Sequence, residues 1–95
     1  MFELTAFQRD ILYCIADLNE PYGLGIKRAL EEAGRKEVNH GRLYPNLDTL
    51  IEKGYLSKST IDKRTNSYEL TTKGMELLAD RHEWETKKLP DSIAK

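Results

Sequence analysis

The sequence predicts a mainly α-helical domain that carries one small β-hairpin, in the order α-α-α-β-β-α. Three observations carry that prediction. Apolar residues recur every three or four positions in separate stretches ahead of Gly54, which is the spacing of one helix face. Between Gly54 and Thr71 the composition shifts to Tyr, Thr, Ile and Leu around a polar turn, as in a pair of short strands. A last amphipathic stretch then runs to Pro90.

Each element has its own start and stop signals. Thr5 and Gln8 are spaced as a capping box, in which each side chain satisfies an amide that the helix start leaves open. Phe7, Ile11, Ile15 and Leu18 then form the inward stripe of a first helix over about Ala6–Leu18, closed ahead of Pro21. A second helix is expected over about Leu24–Ala33, with Ile26, Leu30 and Ala33 inward and Gly34 as its stop. After the polar link Arg35–Val38, Asn39 is an N-cap for a third helix reaching to about Lys53, where Gly54 ends it. Leu43, Leu47, Leu50 and Ile51 are its inward stripe. Pro45 lies inside this helix and cannot donate to the Gly41 carbonyl, so either the helix starts nearer Leu43 or its first turn is distorted.

Tyr55–Ile61 and Asn66–Leu70 are the expected strands, joined by Asp62-Lys63-Arg64-Thr65. Thr71 or Thr72 caps a final helix over about Lys73–Lys88. A two-stranded hairpin cannot bury its apolar face alone and must pack on the helices. Three helices closed by such a wing make a winged helix-turn-helix, here residues 1–71, followed by a C-terminal helix over 72–89 and a short tail over 90–95.

Composition narrows the function. The 95 residues suffice for one domain, and 39% hydrophobic with 33% charged residues is an ordinary soluble balance. No apolar run approaches the roughly 18–20 residues that span a bilayer, and the first residues lack the basic and apolar regions of a signal peptide. A cytoplasmic location without membrane association is therefore expected. Cys14 is the only cysteine, which excludes an intrachain disulfide, and its helical setting marks it as a small apolar residue. His40 and His82 have no ligand-like spacing to it, so neither a metal nor a cofactor is expected. No nucleophile with a neighbouring base, carboxylate pair or phosphate loop is visible, so the chain is not read as an enzyme.

The net charge of −1 conceals an uneven distribution. Met1–Gly34 holds three positive and six negative residues, Arg35–Arg64 seven and four, and Thr65–Lys95 five and six. The basic middle third contains the third helix and the wing, and local field governs docking on phosphate more than total charge does. Opposite the leucine stripe, Arg42, Asn46, Thr49 and Lys53 line one side of the third helix. Arg, Asn and Thr are side chains that read guanine, adenine and the thymine methyl, and Lys53 suits a phosphate. Asn39 and His40 stand at the helix start, where free amides favour an anion. Lys63, Arg64 and Asn66 at the wing tip, with Lys58 on the first strand, suit phosphates or the minor groove. Either group alone could be a solvated surface; together on adjacent elements they point to double-stranded DNA.

From Gly41 to Gly74 the sequence resembles the PadR family of winged-helix transcriptional regulators. The residues that carry this are Gly41-Arg42-Leu43-Tyr44-Pro45-Asn46-Leu47, then Leu50, Glu52, Gly54 and Leu56, then Tyr68-Glu69-Leu70-Thr71 and Lys73-Gly74. Tyr22-Gly23 matches a further family feature, and the run Asn39–Gly54 with Asp62–Asn66 most resembles short archaeal members, those of haloarchaea in particular. The resemblance implies a homodimeric regulator, often a repressor, that dimerises through its C-terminal helix. It makes Pro45 a family feature, and it leaves Tyr44 either in the core or on a phosphate. Leu77, Leu78, Arg81 and Trp84 are the expected dimer contacts, since Trp84 lies beyond the reach of the winged core. The alternative to sequence-specific DNA binding is a winged helix used as a protein-interaction module. No effector is legible.

Overall fold

The computed structural model describes residues 3–18 and 21–93. Its elements are α1 (Ala6–Asp17), α2 (Gly23–Glu32), α3 (His40–Glu52), β1 (Leu56–Thr60), β2 (Asn66–Leu70) and α4 (Thr72–Lys88). The order is the expected one, and each boundary lies within one residue of its expected place. The capping box of α1 is complete: the Gln8 amide donates to Thr5 Oγ1 and the Thr5 amide to Gln8 Oε1, both at 3.1 Å.

Two glycines decide where α2 and α3 stop. Gly34 and Gly54 have φ of 117° and 86°, a conformation in which a Cβ would be strained. The chain then folds back so that Arg35 N–H reaches the Leu30 carbonyl (3.2 Å) and Tyr55 N–H the Leu50 carbonyl (2.9 Å). These bonds satisfy carbonyls that the helix ends would otherwise leave open.

Pro45 neither delays nor breaks α3. The helix begins at His40, with the Leu43 amide on the Asn39 carbonyl (3.0 Å) and the Arg42 amide on Asn39 Oδ1 (2.9 Å). Pro45 removes the single bond to the Gly41 carbonyl, on an exposed face where water can replace it.

The hairpin pairs Leu56 with Leu70 and Thr60 with Asn66. It has a third partner that the sequence did not announce. Tyr22 bridges Ser67, and the Tyr68 amide donates to the Pro21 carbonyl at 3.1 Å. The segment leading into α2 therefore lies along the free edge of β2 and ties the wing to the helices.

One core unites every element. Ile11 and Leu12 of α1, Ile26 and Leu30 of α2, and Leu43, Leu47 and Leu50 of α3 are at most 1% exposed. Tyr55, Leu56 and Tyr68 carry the hairpin into this core, and Leu77 and Leu78 carry α4. Burying a Leu or Ile contributes roughly 1.5–3 kcal/mol, so α3 is held chiefly by its three leucines. Beyond Leu78, α4 has no fully buried residue and extends past the core. Cys14 is half-buried against the core, and burial pushes its thiol pKa up. Among the described residues no helix is long and apolar enough to cross a membrane, and no cluster of His, Cys, Asp or Glu could hold a metal ion.

Candidate nucleic-acid interface

The turn between α2 and α3 is fixed by a side chain of α2. Glu31 Oε2 accepts from the Val38 amide (3.0 Å) and pairs with Lys27 Nζ (3.3 Å). The Val38 amide, with Lys27 beside it, holds the Glu31 carboxyl below the ordinary carboxylate range. Val38 itself is buried, so the turn is anchored on both its polar and apolar sides.

The outward residues of α3 prove to be partly engaged. Arg42 lies over the buried Phe7 ring of α1, with its guanidinium carbon 4.0 Å from the ring centroid. Arg35 also lies over this ring, at 4.9 Å, and binds Asp10 at 2.8 Å. Asn46 is half-buried: its Nδ2 donates to the Arg42 carbonyl (2.8 Å) and its Oδ1 accepts from Gln8 Nε2 (3.0 Å). Thr49 Oγ1 donates to the Pro45 carbonyl (3.0 Å), and Asn39 Oδ1 serves the helix cap.

The His40 and Tyr44 rings meet at a tilt of 53°, with centroids 5.4 Å apart, at the exposed start of α3. Tyr44 is 36% exposed and so lies outside the core. Its hydroxyl rests against Gly23, where a Cβ would collide with it. Gly23 thus allows the close approach of the α2 start to α3. Tyr44 also lines a cleft of about 300 Å³ with Tyr22, Arg64, Thr65 and Asn66, so the helix start and the wing tip face a common space.

The far end of α3 is clamped by α4. Lys73 Nζ donates to the Lys53 carbonyl (2.7 Å) and stands 4.6 Å from the Tyr55 ring centroid, while Thr71 Oγ1 donates to the Gly54 carbonyl (2.6 Å). The Tyr55 hydroxyl donates to Glu3 Oε1 at 2.6 Å. That bond, together with burial, pushes its pKa up to about 12. The Lys53 side chain remains exposed at the end of the helix.

On the wing, Lys58, Lys63 and Arg64 are exposed and form no ion pair among the described residues. Asp62 shapes the tip by accepting the Arg64 amide (2.8 Å), and Asn66 accepts from Thr60 Oγ1 (3.2 Å).

The expected dimer contacts separate into two kinds. Leu77 and Leu78 are 5% and 7% exposed, packed into the chain's own core, which leaves them little surface to offer a partner. Periodicity does not show this burial, because both lie on the half of α4 that still packs on the winged domain. Arg81 and Trp84 lie farther out. Arg81 stacks on the half-buried Trp84 ring at 4.7 Å and binds Glu85 at 3.0 Å.

The sequence reading missed Phe7, Gln8, Glu31 and Lys73 as supports of this surface. Only Gln8 had a visible signal, its place in the capping box, and nothing in that signal shows that its Nε2 reaches Asn46.

The transcriptional regulator PadR-like family model matches residues 11–80. Among solved structures, RosR of H. salinarum is 50% identical over 99% of this chain and 82% of its own, with a TM-score of 0.88. The hsRosR-S1 complex is 53% identical over 90% of this chain and 76% of that one, with a TM-score of 0.86. F93 from STIV, a winged-helix DNA-binding protein, shares the fold at 20% identity, covering 93% of this chain and 96% of its own at a TM-score of 0.76. No curated protein matches. Because the family model covers the chain from the middle of α1 into α4, with the winged-helix geometry throughout, the chain belongs to the PadR-like family of transcriptional regulators.

Proposed function

We propose that this transcriptional regulator binds operator DNA as a homodimer, with α3 in the major groove and the β1–β2 wing on the minor groove or backbone. The observation that carries this is the shared orientation of two basic elements. The start of α3 and the wing tip flank one cleft, and Arg42, Lys53, Lys58, Lys63 and Arg64 are all exposed. Arg42 and Asn46 read base edges, and His40, Thr49 and Asn39 adjoin them. Tyr44, Lys53, Lys58, Lys63, Arg64 and Asn66 hold phosphate or sugar. Stacking on Phe7 limits the freedom of Arg42 before DNA arrives, which lowers the ordering cost of binding.

The homodimer is supported by the outer part of α4. This part extends beyond the core and bears Arg81 and Trp84, and Tyr13 of α1 is also exposed. Burial and the Glu85 carboxylate of α4 push the Tyr13 pKa up. A two-fold dimer would set its recognition helices about 34–36 Å apart on a palindromic site.

Site selection from a random duplex library, followed by titration of the winner at several salt concentrations, tests the proposal. The expected result is a palindrome bound with a steep salt dependence, and a loss of discrimination in Arg42→Ala of about 1–3 kcal/mol at one base pair per half-site. No enriched site, with weak and salt-insensitive binding, would favour a protein-interaction module instead.

A further inference from the structure

Apart from aromatic residues, Gln8 is the only polar or charged residue that the fold buries among those described, at 8% exposure. Its side chain joins α1 to the outward face of α3. Gln8 Oε1 accepts from the Thr5 amide at 3.1 Å, so its NH2 group must point the other way, and there Nε2 donates to Asn46 Oδ1 at 3.0 Å. The Asn46 amide has one orientation compatible with that donor. Its Nδ2 then faces the Arg42 carbonyl, to which it donates at 2.8 Å.

An Asn amide has two acceptor sites on oxygen and two N–H donors. The contacts to Gln8 and Arg42 use one of each. One acceptor and one donor remain, which is the pair needed to meet adenine at N6 and N7. Reversing the amide would exchange the two and present the wrong pattern to the same base.

We infer that Gln8 is a positioning residue for base recognition: it never touches DNA, but through Asn46 it fixes which donor and acceptor α3 presents to one base pair in each half-site. This rests on the proposed operator binding. The substitution that isolates the effect is Gln8→Glu. A carboxylate still accepts from the Thr5 amide, so the capping box survives, and Glu is itself a favoured residue at that position. An ionised carboxylate has no donor for Asn46 Oδ1, so Asn46 must turn its Nδ2 toward it and lose the present arrangement.

Site selection is run on the wild type, Gln8→Glu, Asn46→Ala, the double variant and Thr5→Ala. Gln8→Glu is expected to change the preferred base, or lower discrimination by about tenfold, at the one position that Asn46→Ala also affects. The double variant should match Asn46→Ala, because the two residues act in series. Thr5→Ala removes the side-chain cap but leaves the backbone amide that orients Gln8. It should lower the melting temperature and leave base preference unchanged, which separates positioning from stability. If the wild type selects an operator and Gln8→Glu selects it with the same preference at every position, the positioning role is overturned while operator binding stands. A change confined to positions that Asn46→Ala leaves alone would also overturn it. A wild type that selects no site brings down operator binding itself, and this inference with it.

Discussion

Tyr44 at the start of α3 and the tip of the wing border one cleft, yet the outward face of α3 and the wing are built in opposite ways. On α3 the polar side chains are held by the fold: Arg42 on Phe7, Asn46 between Gln8 and the Arg42 carbonyl, Thr49 on Pro45. On the wing, Lys58, Lys63 and Arg64 are exposed and make no ion pair among the described residues. Base readout requires donors and acceptors at fixed positions, because a misplaced hydrogen bond leaves a base edge unpaired. Phosphate attraction is long-ranged and tolerates mobile charge. Under the proposed function, the difference would give selectivity to α3 with its support from α1, and general affinity to the wing.

The largest expected effect comes from removing the floor beneath α3. Leu47 is fully buried, and Leu47→Ala should destabilise the domain by about 2–5 kcal/mol in denaturant unfolding. Discrimination between operators should fall with it, because the support that positions the outward residues is lost. A loss of stability with selectivity intact would remove the distinction between the two regions.

A smaller effect is expected on the wing. Lys63→Ala with Arg64→Ala should weaken binding to all duplexes alike and lower the salt slope by about one per phosphate contact removed, with base preference unchanged. Titration of a selected and a scrambled duplex over a salt series measures both quantities. If the double variant altered base preference, the wing would share in readout.

The smallest effect concerns the turn that sets the angle of α3. The Glu31 pKa is depressed in the folded state, so its contribution to stability is present above the unfolded carboxylate pKa and is lost as pH falls through the folded value. Melting curves of wild type and Glu31→Gln across that acid range should differ at neutral pH and converge at the acid end. Curves that stay parallel would show that the Glu31 charge does not hold the turn.

How much of this was legible in the sequence depends on how local the cause was. Thr5 with Gln8, the N-caps Asn39 and Thr71, and the stops Gly34 and Gly54 each act within a few residues of themselves, and each does what its spacing implied. The leucines of α3 followed from periodicity in the same way. Periodicity gives the faces of α4 but not the length over which the core extends, so it does not reveal that Leu77 and Leu78 pack in this chain's own core. Asn46 was seen as a free reader because nothing in its helix reveals an amide arriving from 38 residues earlier.

By itself, then, the sequence determined the order of elements, their ends, the core stripes and the basic surface, because capping, periodicity and glycine conformation are properties of neighbouring residues. Only the tertiary structure decided which outward side chains are held by the fold and which stand exposed without an ion pair. It also decided that Pro21 and Tyr22 would edge the wing and how far the core would reach along α4. Those outcomes depend on groups far apart in the chain meeting at hydrogen-bonding distance, and no local pattern encodes such a meeting.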